Sequence, residues 1–390
     1  MNAGILLLGA AYVLSQFFRA FLAVLSEVLE RDIGAGPELL AQASGLWFLS
    51  FALFQLPVGW ALDTIGPRRT AAGLLMVGGA GGALLFGLAT EPWHLSAAML
   101  LIGIGCAPVL MASYYIFARE YPPVQFATLA SLMVGIGTSG NLVASYPMAL
   151  AAETIGWRAA LLALSGLTAL TAIGLWVLVR DPATPEGEAK GSLREMLAIR
   201  PLWLIFPLMG VGYAIVGAVR GLWIGPYLAD VFGADTRAIG QATLAMGVAM
   251  IVGTLTYGPL DRALRSRKWL IVGGTTVTLL ASATLIALPQ SSLTLSILML
   301  CVIGFFGATY PVIIAHGRSF LPPHLIGRGV TMLNLFSIGG VGLLQFGSAR
   351  LHAAASGTDP VAPYVAIFGL FSVAILFGLV IYLFSRNAPE

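Results

Sequence analysis

Two arginines lie in the middle of long apolar stretches, each preceded by a tyrosine at the same distance. Tyr12 and Arg19 bound the segment Tyr-Val-Leu-Ser-Gln-Phe-Phe-Arg, and Tyr213 and Arg220 bound Tyr-Ala-Ile-Val-Gly-Ala-Val-Arg about 200 residues later. This spacing is about two helical turns, so each tyrosine shares a helix face with its arginine. If the stretches cross a membrane, each buried guanidinium costs about 2.5 to 3.5 kcal/mol on insertion scales, which indicates a function.

The chemistry of the arginine side chain favours an anionic ligand. A guanidinium group stays charged and presents a planar fork of N–H donors that fits a carboxylate or a phosphate. The acidic residues that border the apolar stretches all fall near their ends, namely Glu27, Asp63, Glu120, Glu153, Asp230 and Asp261. We therefore predict that Arg19 and Arg220 together bind a small-molecule anion, with fixed internal partners for each arginine as the alternative.

Polar and aromatic residues on the same apolar stretches complete the predicted substrate site. They are Tyr12, Gln16, Tyr114, Tyr115, Asn141, Tyr213, Trp223, Tyr227, Tyr310 and Asn334. Ligand sites are largely apolar and aromatic with a few fixed polar groups, which such a set would provide. For any one of them, an interfacial aromatic residue or a hydrogen bond between helices is an equally good interpretation.

No cofactor or metal is predicted. Met246 and Met250 have a spacing that could present two thioethers to a soft metal, but two arginines in the same cavity would oppose a cation. Core packing is the better interpretation of these methionines. The sequence has no nucleotide-binding loop and no basic tract typical of nucleic-acid binding.

Composition identifies the elements that must position these residues. Hydrophobic residues make up 58% of the 390-residue chain and charged residues 9%, and the mean hydropathy is +0.91. A soluble domain would carry about 25% charged residues, so we predict an all-α integral membrane protein. The apolar stretches predict twelve transmembrane helices, among them helix 1 at about 4–29, helix 5 at about 126–152 and helix 7 at about 202–229.

Charge and composition also predict the domain organisation. Residues 181–200 are rich in Pro, Gly and charged side chains and form the predicted linker between two halves, 1–180 and 201–390. Most of the 20 lysines and arginines fall in loops on the side of this linker. The positive-inside rule then places both termini and the linker in the cytoplasm, in a multi-pass protein of a bacterial-type inner membrane.

Three landmarks recur at an offset of about 200 residues, which indicates duplication of a six-helix half. The Tyr-Arg pairs are the first. Leu62-Asp63 with Arg69 recurs as Leu260-Asp261 with Arg267, and the pair Pro122-Pro123 recurs as Pro322-Pro323. The halves are therefore expected to be pseudo-symmetric.

With these features, the whole chain resembles the major facilitator superfamily of secondary transporters. The loop with Gly59, Asp63, Gly66, Arg68 and Arg69 is similar to the family's signature after the second helix. The resemblance implies that this loop, with Asp261 and Arg267 in its second copy, gates the cytoplasmic side by pairing Asp63 with basic residues and helix ends. The alternative is a solvated turn that only enforces topology. The second copy lacks the internal glycine, so its role is less secure.

The same resemblance implies that helices 1 and 7 line a central cavity and that the two halves alternate access to it. The paired arginines also resemble those of the organophosphate/phosphate antiporters, such as the glycerol-3-phosphate and hexose-phosphate exchangers. That likeness rests on two residues and supports an anion more firmly than a phosphate ester. The missing mid-membrane carboxylate favours anion exchange, although Glu27 or a proton carried by the substrate could provide coupling.

Other functional classes are disfavoured or distinguishable. An enzyme would require a nucleophile with its base, or a metal cluster, at membrane depth, and the sequence shows neither. A drug or lipid exporter would tolerate loss of either arginine, and a non-transporting sensor would keep ligand binding alone. We expect a monomer that contacts lipid, a small anionic substrate, and a counter-anion or proton.

Overall fold

The computed structural model describes residues 3–182, 195, 197–264, 266–322, 325–357 and 359–387. Within these ranges the chain is helical, with turns and no β-strand. Most of the predicted linker 181–200, together with Pro323, lies outside the described residues. The predicted all-α class is therefore confirmed for the part of the chain that the structure describes.

The chain forms two compact units, the first of which comprises Met1–Glu186 and Asp235–Gln241. In order, the helices of residues 3–182 are α1 (Ala3–Phe17), α2 (Leu22–Ile33), α3 (Pro37–Thr64), α4 (Pro67–Leu74), a first π-helix (Leu75–Ala80), α5 (Gly81–Gly87), α6 (Pro92–Glu120), α7 (Pro123–Val143), α8 (Tyr146–Ile155) and α9 (Trp157–Leu178).

The second unit comprises Gly187–Ala234 and Ala242–Glu390. The helices from residue 200 onward are a 3₁₀-helix (Arg200–Leu204), α10 (Phe206–Gly212), α11 (Ala214–Ala218), a second π-helix (Val219–Trp223), α12 (Ile224–Phe232), α13 (Thr236–Leu264), α14 (Arg267–Ala287), α15 (Leu293–Phe306), α16 (Tyr310–Arg318), α17 (Ile326–Ala355) and α18 (Ala362–Leu383).

Many of these helices have the length and composition of membrane spans. Ten helical stretches of the described chain qualify, and α1 with α2 makes an eleventh if this bent pair is one span. In place of the predicted helix 5, the structure has α7 and α8, which meet just before Pro147. Proline is well suited to the first turn of a helix because its missing N–H would be unpaired there.

The predicted helix 1 is broken, so its prediction as one continuous helix was wrong, whereas the predicted helix 7 lies within a single helical span, Arg200–Phe232, that contains a π-helix. α1 and α2 meet at an angle of 53°, and the residues between them include Arg19. In the second unit, α10, α11 and the second π-helix follow one another where one helix was expected, and Arg220 lies in the π-helix. Each arginine therefore lies where the helix is irregular.

Aromatic rings surround the bend between α1 and α2. Phe17 stacks on Phe21 with ring centroids 5.7 Å apart, Phe21 meets Phe86 of α5 edge-on at 5.1 Å, and Phe86 meets Trp157 of α9 at 6.1 Å. Aromatic pairs of this kind contribute about 0.5 to 1.5 kcal/mol each. These contacts hold the bend against the rest of the first unit.

Close helix packing in the first unit depends on small residues. A Cβ atom added at Gly78 of the first π-helix would lie 2.6 Å from the backbone nitrogen of Gly105 in α6. Because lipid gives helices little hydrophobic reason to associate, such close backbone approach is a main source of packing energy in membranes.

Candidate functional site

Arg19 lies at the α1–α2 bend, where two rings of α3 contact its guanidinium group. The Cζ atom is 5.2 Å from the ring centroid of Trp47 and 5.6 Å from that of Phe51. The Nε atom is buried and has no hydrogen-bond partner among the described residues. Aromatic faces, and no carboxylate of the described part of this unit, therefore contact this cation.

The first turn before Arg19 carries a pair of hydrogen-bonded side chains. The amide Nε2 of Gln16 donates to the hydroxyl of Tyr12 at 2.8 Å, and both residues are buried. Gly137 of α7 makes room for the Tyr12 ring, since a Cβ atom at that position would collide with it. The structure thus joins two predicted residues, Tyr12 and Gln16, by a hydrogen bond on α1.

The other predicted residues of the first unit are less closely joined to Arg19. Tyr114 is half-buried on α6 and close enough to Tyr12 for an electrostatic interaction. Tyr115 contacts a different cation, with the Arg119 guanidinium 3.6 Å from its ring centroid. Asn141 on α7 accepts a hydrogen bond from Ser145 through its backbone carbonyl, at 3.0 Å.

In the second unit, Arg220 is 4% exposed and belongs to the π-helix Val219–Trp223. Tyr213, between α10 and α11, is close enough to Arg220 to interact with it electrostatically. The Tyr213 ring lies 5.6 Å from that of Tyr310, whose hydroxyl donates to Oδ1 of Asn334 at 2.5 Å. The structure therefore joins three predicted residues, Tyr213, Tyr310 and Asn334, in one group.

Trp223 and Tyr227 are buried and form hydrogen bonds inside the second unit. The indole N–H of Trp223 donates to Oε1 of Gln345 at 2.8 Å and to the hydroxyl of Ser348 at 2.9 Å. The Tyr227 hydroxyl donates to the Pro289 carbonyl at 2.6 Å. In a regular α-helix, residues three and seven positions after Arg220 would share its face, but the π-helix Val219–Trp223 contains an extra residue per turn and changes that register.

The loop between α3 and α4 contains the residues predicted to gate the cytoplasmic side. Asp181, just after α9, accepts a hydrogen bond from the backbone N–H of Arg68 at 2.7 Å and forms an ion pair with its Nε at 3.5 Å. Gly66 has a φ of +101°, and a Cβ atom there would lie 2.9 Å from the Asp181 carboxylate. Gly66 is the N-cap residue of α4 and has no side chain to cap it. The carboxylate of Asp181 caps the helix instead.

Asp63 was the predicted partner of these basic residues. Within the described part of the first unit, Asp63 forms no ion pair with them. Asp63 is exposed at the end of α3, as are Gly59 and Arg69 beside it. Asp181 was missed because it lies 113 residues beyond Arg68 and looks like the first residue of a linker. Its position directly after an apolar span was the available signal.

The second copy of the loop contains an ion pair between Asp261 and Arg267. Nε of Arg267 lies 3.1 Å from Oδ2 of Asp261. Asn387, just after α18, accepts from the backbone N–H of Lys268 at 3.3 Å, as Asp181 does from Arg68. The first unit thus uses a carboxylate, and the second an amide, at the start of the corresponding helix.

The described residues contain no cluster of potential metal ligands. None of their His, Cys, Asp and Glu side chains form a group of three or more that could hold a metal ion. Cys106 is buried and Cys301 half-buried, and both are free thiols.

Comparison with known sequences gives a family and several similar transporters. A model described as Major Facilitator Superfamily matches residues 8–341. Monocarboxylate transporter 11 of Homo sapiens is 32% identical over 211 residues, and the 4-hydroxybenzoate transporter PcaK of Acinetobacter baylyi is 28% identical over 143 residues. These matches cover 52% and 37% of this chain, and they span 42% and 31% of the length of those two relatives.

Two further comparisons cover most of the chain. The probable L-galactonate transporter of Escherichia coli is 22% identical over 353 residues, covering 78% of this chain and 72% of that protein. The crystal structure of a D-xylose-proton symporter superposes with a TM-score of 0.78 at 15% identity, over 99% of this chain and 98% of that one. At this identity the structural likeness shows the fold alone.

Proposed function

Because the chain belongs to the Major Facilitator Superfamily, whose model matches residues 8–341, we propose that it is a secondary transporter that moves a small organic anion by alternating access. One observation supports an anionic substrate above all others. Arg19 is contacted by the rings of Trp47 and Phe51 and keeps a buried Nε without a hydrogen-bond partner among the described residues. A bound anion would complete this coordination.

The positions of the two arginines support the same proposal. Each lies at an interruption of a helix, Arg19 at the α1–α2 bend and Arg220 in a π-helix. In transporters, interrupted helices commonly form the substrate site because their irregular backbone and charged groups need a polar partner at membrane depth. We propose that both guanidinium groups bind the same anion, within a twelve-helix arrangement of two six-helix halves.

Among anions, a carboxylate is the first choice. The names of two similar proteins specify 4-hydroxybenzoate and L-galactonate, both of them carboxylates that also carry hydroxyl groups. Paired arginines would also suit a phosphate ester, which is the second choice. Tyr213, Tyr310 and Asn334 form a hydrogen-bonding aromatic group in the second unit that suits the uncharged part of such a ligand.

The membrane arrangement and the coupling also belong to the proposal. The Lys and Arg bias of the loops supports cytoplasmic termini in an inner membrane. Glu27 is exposed, and its carboxylate accepts a hydrogen bond from Thr236 at 3.3 Å. Anion exchange is the first expectation, with proton coupling through Glu27 or the substrate as the alternative.

A ligand screen tests this function directly. The purified chain in lipid nanodiscs is heated with 4-hydroxybenzoate, L-galactonate, glycerol 3-phosphate and two neutral controls, 4-hydroxybenzamide and D-xylose. A ligand at 100 times its Kd should stabilise the folded state by about 2.7 kcal/mol. We expect stabilisation by at least one anion and by neither control, and counterflow of that anion in proteoliposomes. Stabilisation by the neutral compounds alone would refute an anion transporter.

A further inference from the structure

α3 contributes a side chain to the Arg19 environment that the sequence patterns did not single out. Trp47 is completely buried and holds its ring 5.2 Å from the Arg19 guanidinium carbon. The same helix places Phe51, four residues later, at 5.6 Å from that carbon. The two rings share one face of α3, as residues four apart do.

The indole ring of Trp47 is held in a fixed orientation. It stacks on Phe51 at 5.2 Å with an interplanar angle of 18° and meets Phe48 edge-on at 5.0 Å. Its backbone carbonyl accepts from the hydroxyl of Ser50 at 3.1 Å and lies where a Cβ atom at Gly103 would collide. The rings of its own helix therefore orient the indole, while the backbone at Trp47 packs closely against α6.

The indole N–H of Trp47 is a buried donor with no hydrogen-bond partner among the described residues. Other indole groups of the chain have partners: Trp157 donates to Asp32 at 2.9 Å, and Trp203 donates to the Leu197 carbonyl at 2.9 Å. Buried tryptophan N–H groups are usually paired, because leaving one unpaired is costly. Nε of Arg19 is a second such donor beside it.

One anion could reach both donors. An acceptor oxygen lies about 2.9 Å from an N–H donor nitrogen, and roughly 4 Å from the carbon of a guanidinium group that binds it. These two reaches together exceed the 5.2 Å between the guanidinium carbon and the Trp47 ring centroid. A negatively charged acceptor would satisfy both N–H groups at once, whereas a ligand without acceptors would satisfy neither.

We propose that Trp47 is a substrate-binding residue that donates its indole N–H to the carboxylate held by Arg19, while its ring positions the guanidinium group. This inference rests on the proposed function and assigns to the first unit a donor that recognises the charged group. The two donors are buried in this conformation, so substrate entry requires movement at the α1–α2 bend. Rearrangements of this kind are part of alternating access.

The test removes the N–H and keeps the ring. Trp47→Phe retains an aromatic face, and 3-benzothienylalanine introduced at position 47 replaces the N–H by sulfur at nearly constant shape. The probe is whichever of 4-hydroxybenzoate and L-galactonate stabilises the wild type more, and its Kd is measured by calorimetry in nanodiscs. Each variant should bind about 10- to 100-fold more weakly, as expected for a lost charge-assisted hydrogen bond.

The unliganded protein provides a second readout. If the N–H has no partner in the free protein, the benzothiophene variant should unfold at the wild-type temperature or above it. The matched control is Trp223→Phe, which breaks hydrogen bonds to Gln345 and Ser348 and should lower the unfolding temperature. A lower unfolding temperature for the benzothiophene variant, with unchanged Kd, would show a structural role for the N–H and overturn the inference.

The remaining outcomes separate the inference from the function on which it rests. Wild-type affinity in the benzothiophene variant would overturn the inference and leave an anion transporter standing. Failure of the wild type to bind any of the anions would overturn the proposed function and the inference together.

Discussion

Replacing Arg19 by alanine removes the guanidinium group that contacts Trp47 and Phe51 at 5.2 and 5.6 Å. If this group binds the substrate carboxylate through two N–H donors, the loss is large because both bonds are charge-assisted. At about 1.5 to 3 kcal/mol each, two bonds amount to about 3 to 6 kcal/mol. Since about 1.4 kcal/mol corresponds to a tenfold change, the Kd should rise by roughly 10² to 10⁴.

Lysine at the same position should rescue part of this loss. Its ammonium group retains the charge and can contact the Trp47 ring, but it cannot present a planar fork to both carboxylate oxygens. Loss of one of the two bonds predicts binding roughly 10- to 100-fold weaker than in the wild type. The order of affinity should therefore be arginine, lysine, alanine.

The stability of the free protein should change much less than its affinity. Arg19→Ala removes cation–π contacts that contribute about 0.5 to 2 kcal/mol. It also removes a buried N–H without a partner, which costs the folded state about 1 to 3 kcal/mol. These effects oppose each other, so the unfolding temperature without ligand should remain near that of the wild type.

The assay is calorimetric titration in nanodiscs together with thermal unfolding of the same preparations. Phe51→Leu is the matched control, since it removes one ring beside Arg19 and no hydrogen-bond donor. The reasoning is refuted if Arg19→Ala binds the anion with wild-type affinity. It is also refuted if the variant is strongly destabilised without ligand, because Arg19 would then have a fixed structural partner.

Four further predictions concern the arginine pair, Asp181, Asp63 and the linker. Arg220→Ala should also weaken anion binding severely. Because both arginines hold one ligand, the double alanine variant should lose less binding free energy than the sum of the two single losses. Strict additivity of the binding free energies from titration would contradict this. Asp181→Ala should slow counterflow with nearly unchanged Kd, because it removes both the ion pair with Arg68 and the cap of α4. Asp181→Asn keeps the hydrogen-bond acceptor and should slow counterflow less. Equal counterflow rates in the two variants would refute a capping role. If Asp63 gates the cytoplasmic side, Asp63→Asn should also slow transport and leave the Kd unchanged. An unchanged transport rate would show that Asp63 only enforces the membrane topology. Trypsin should cut within 181–200 in inside-out vesicles, and cleavage in right-side-out vesicles would reverse the proposed topology.

The local properties of the chain were sufficient for its class and for selecting the two arginines as candidates. Composition predicted a helical membrane protein, and the repeated Tyr-Arg spacing indicated Arg19 and Arg220 before any contact was known. The helical class is confirmed within the described residues, and the family match supports the transporter. These features follow from hydropathy and from the cost of a buried charge, and both can be evaluated one segment at a time.

The interruptions at the arginines could not be predicted from local patterns. The segment from Phe17 to Phe21 contains neither proline nor glycine, so nothing in it marks a helix break. The 53° bend occurs where Phe21 packs against Phe86 of α5. Packing with a distant helix decided it, and the same limitation applies to the π-turn that moved Trp223 and Tyr227 out of α-helical register.

The sequence by itself determined that two cations lie within long apolar stretches, because residue type and hydropathy are local. The tertiary structure alone decided what contacts them: the rings of Trp47 and Phe51 face Arg19 because α3 packs beside the bend. It also decided that Asp181, and not Asp63, meets Arg68 within the first unit. The physical reason is that a side chain's partner depends on which helices become neighbours, and that choice comes from the packing of the whole unit.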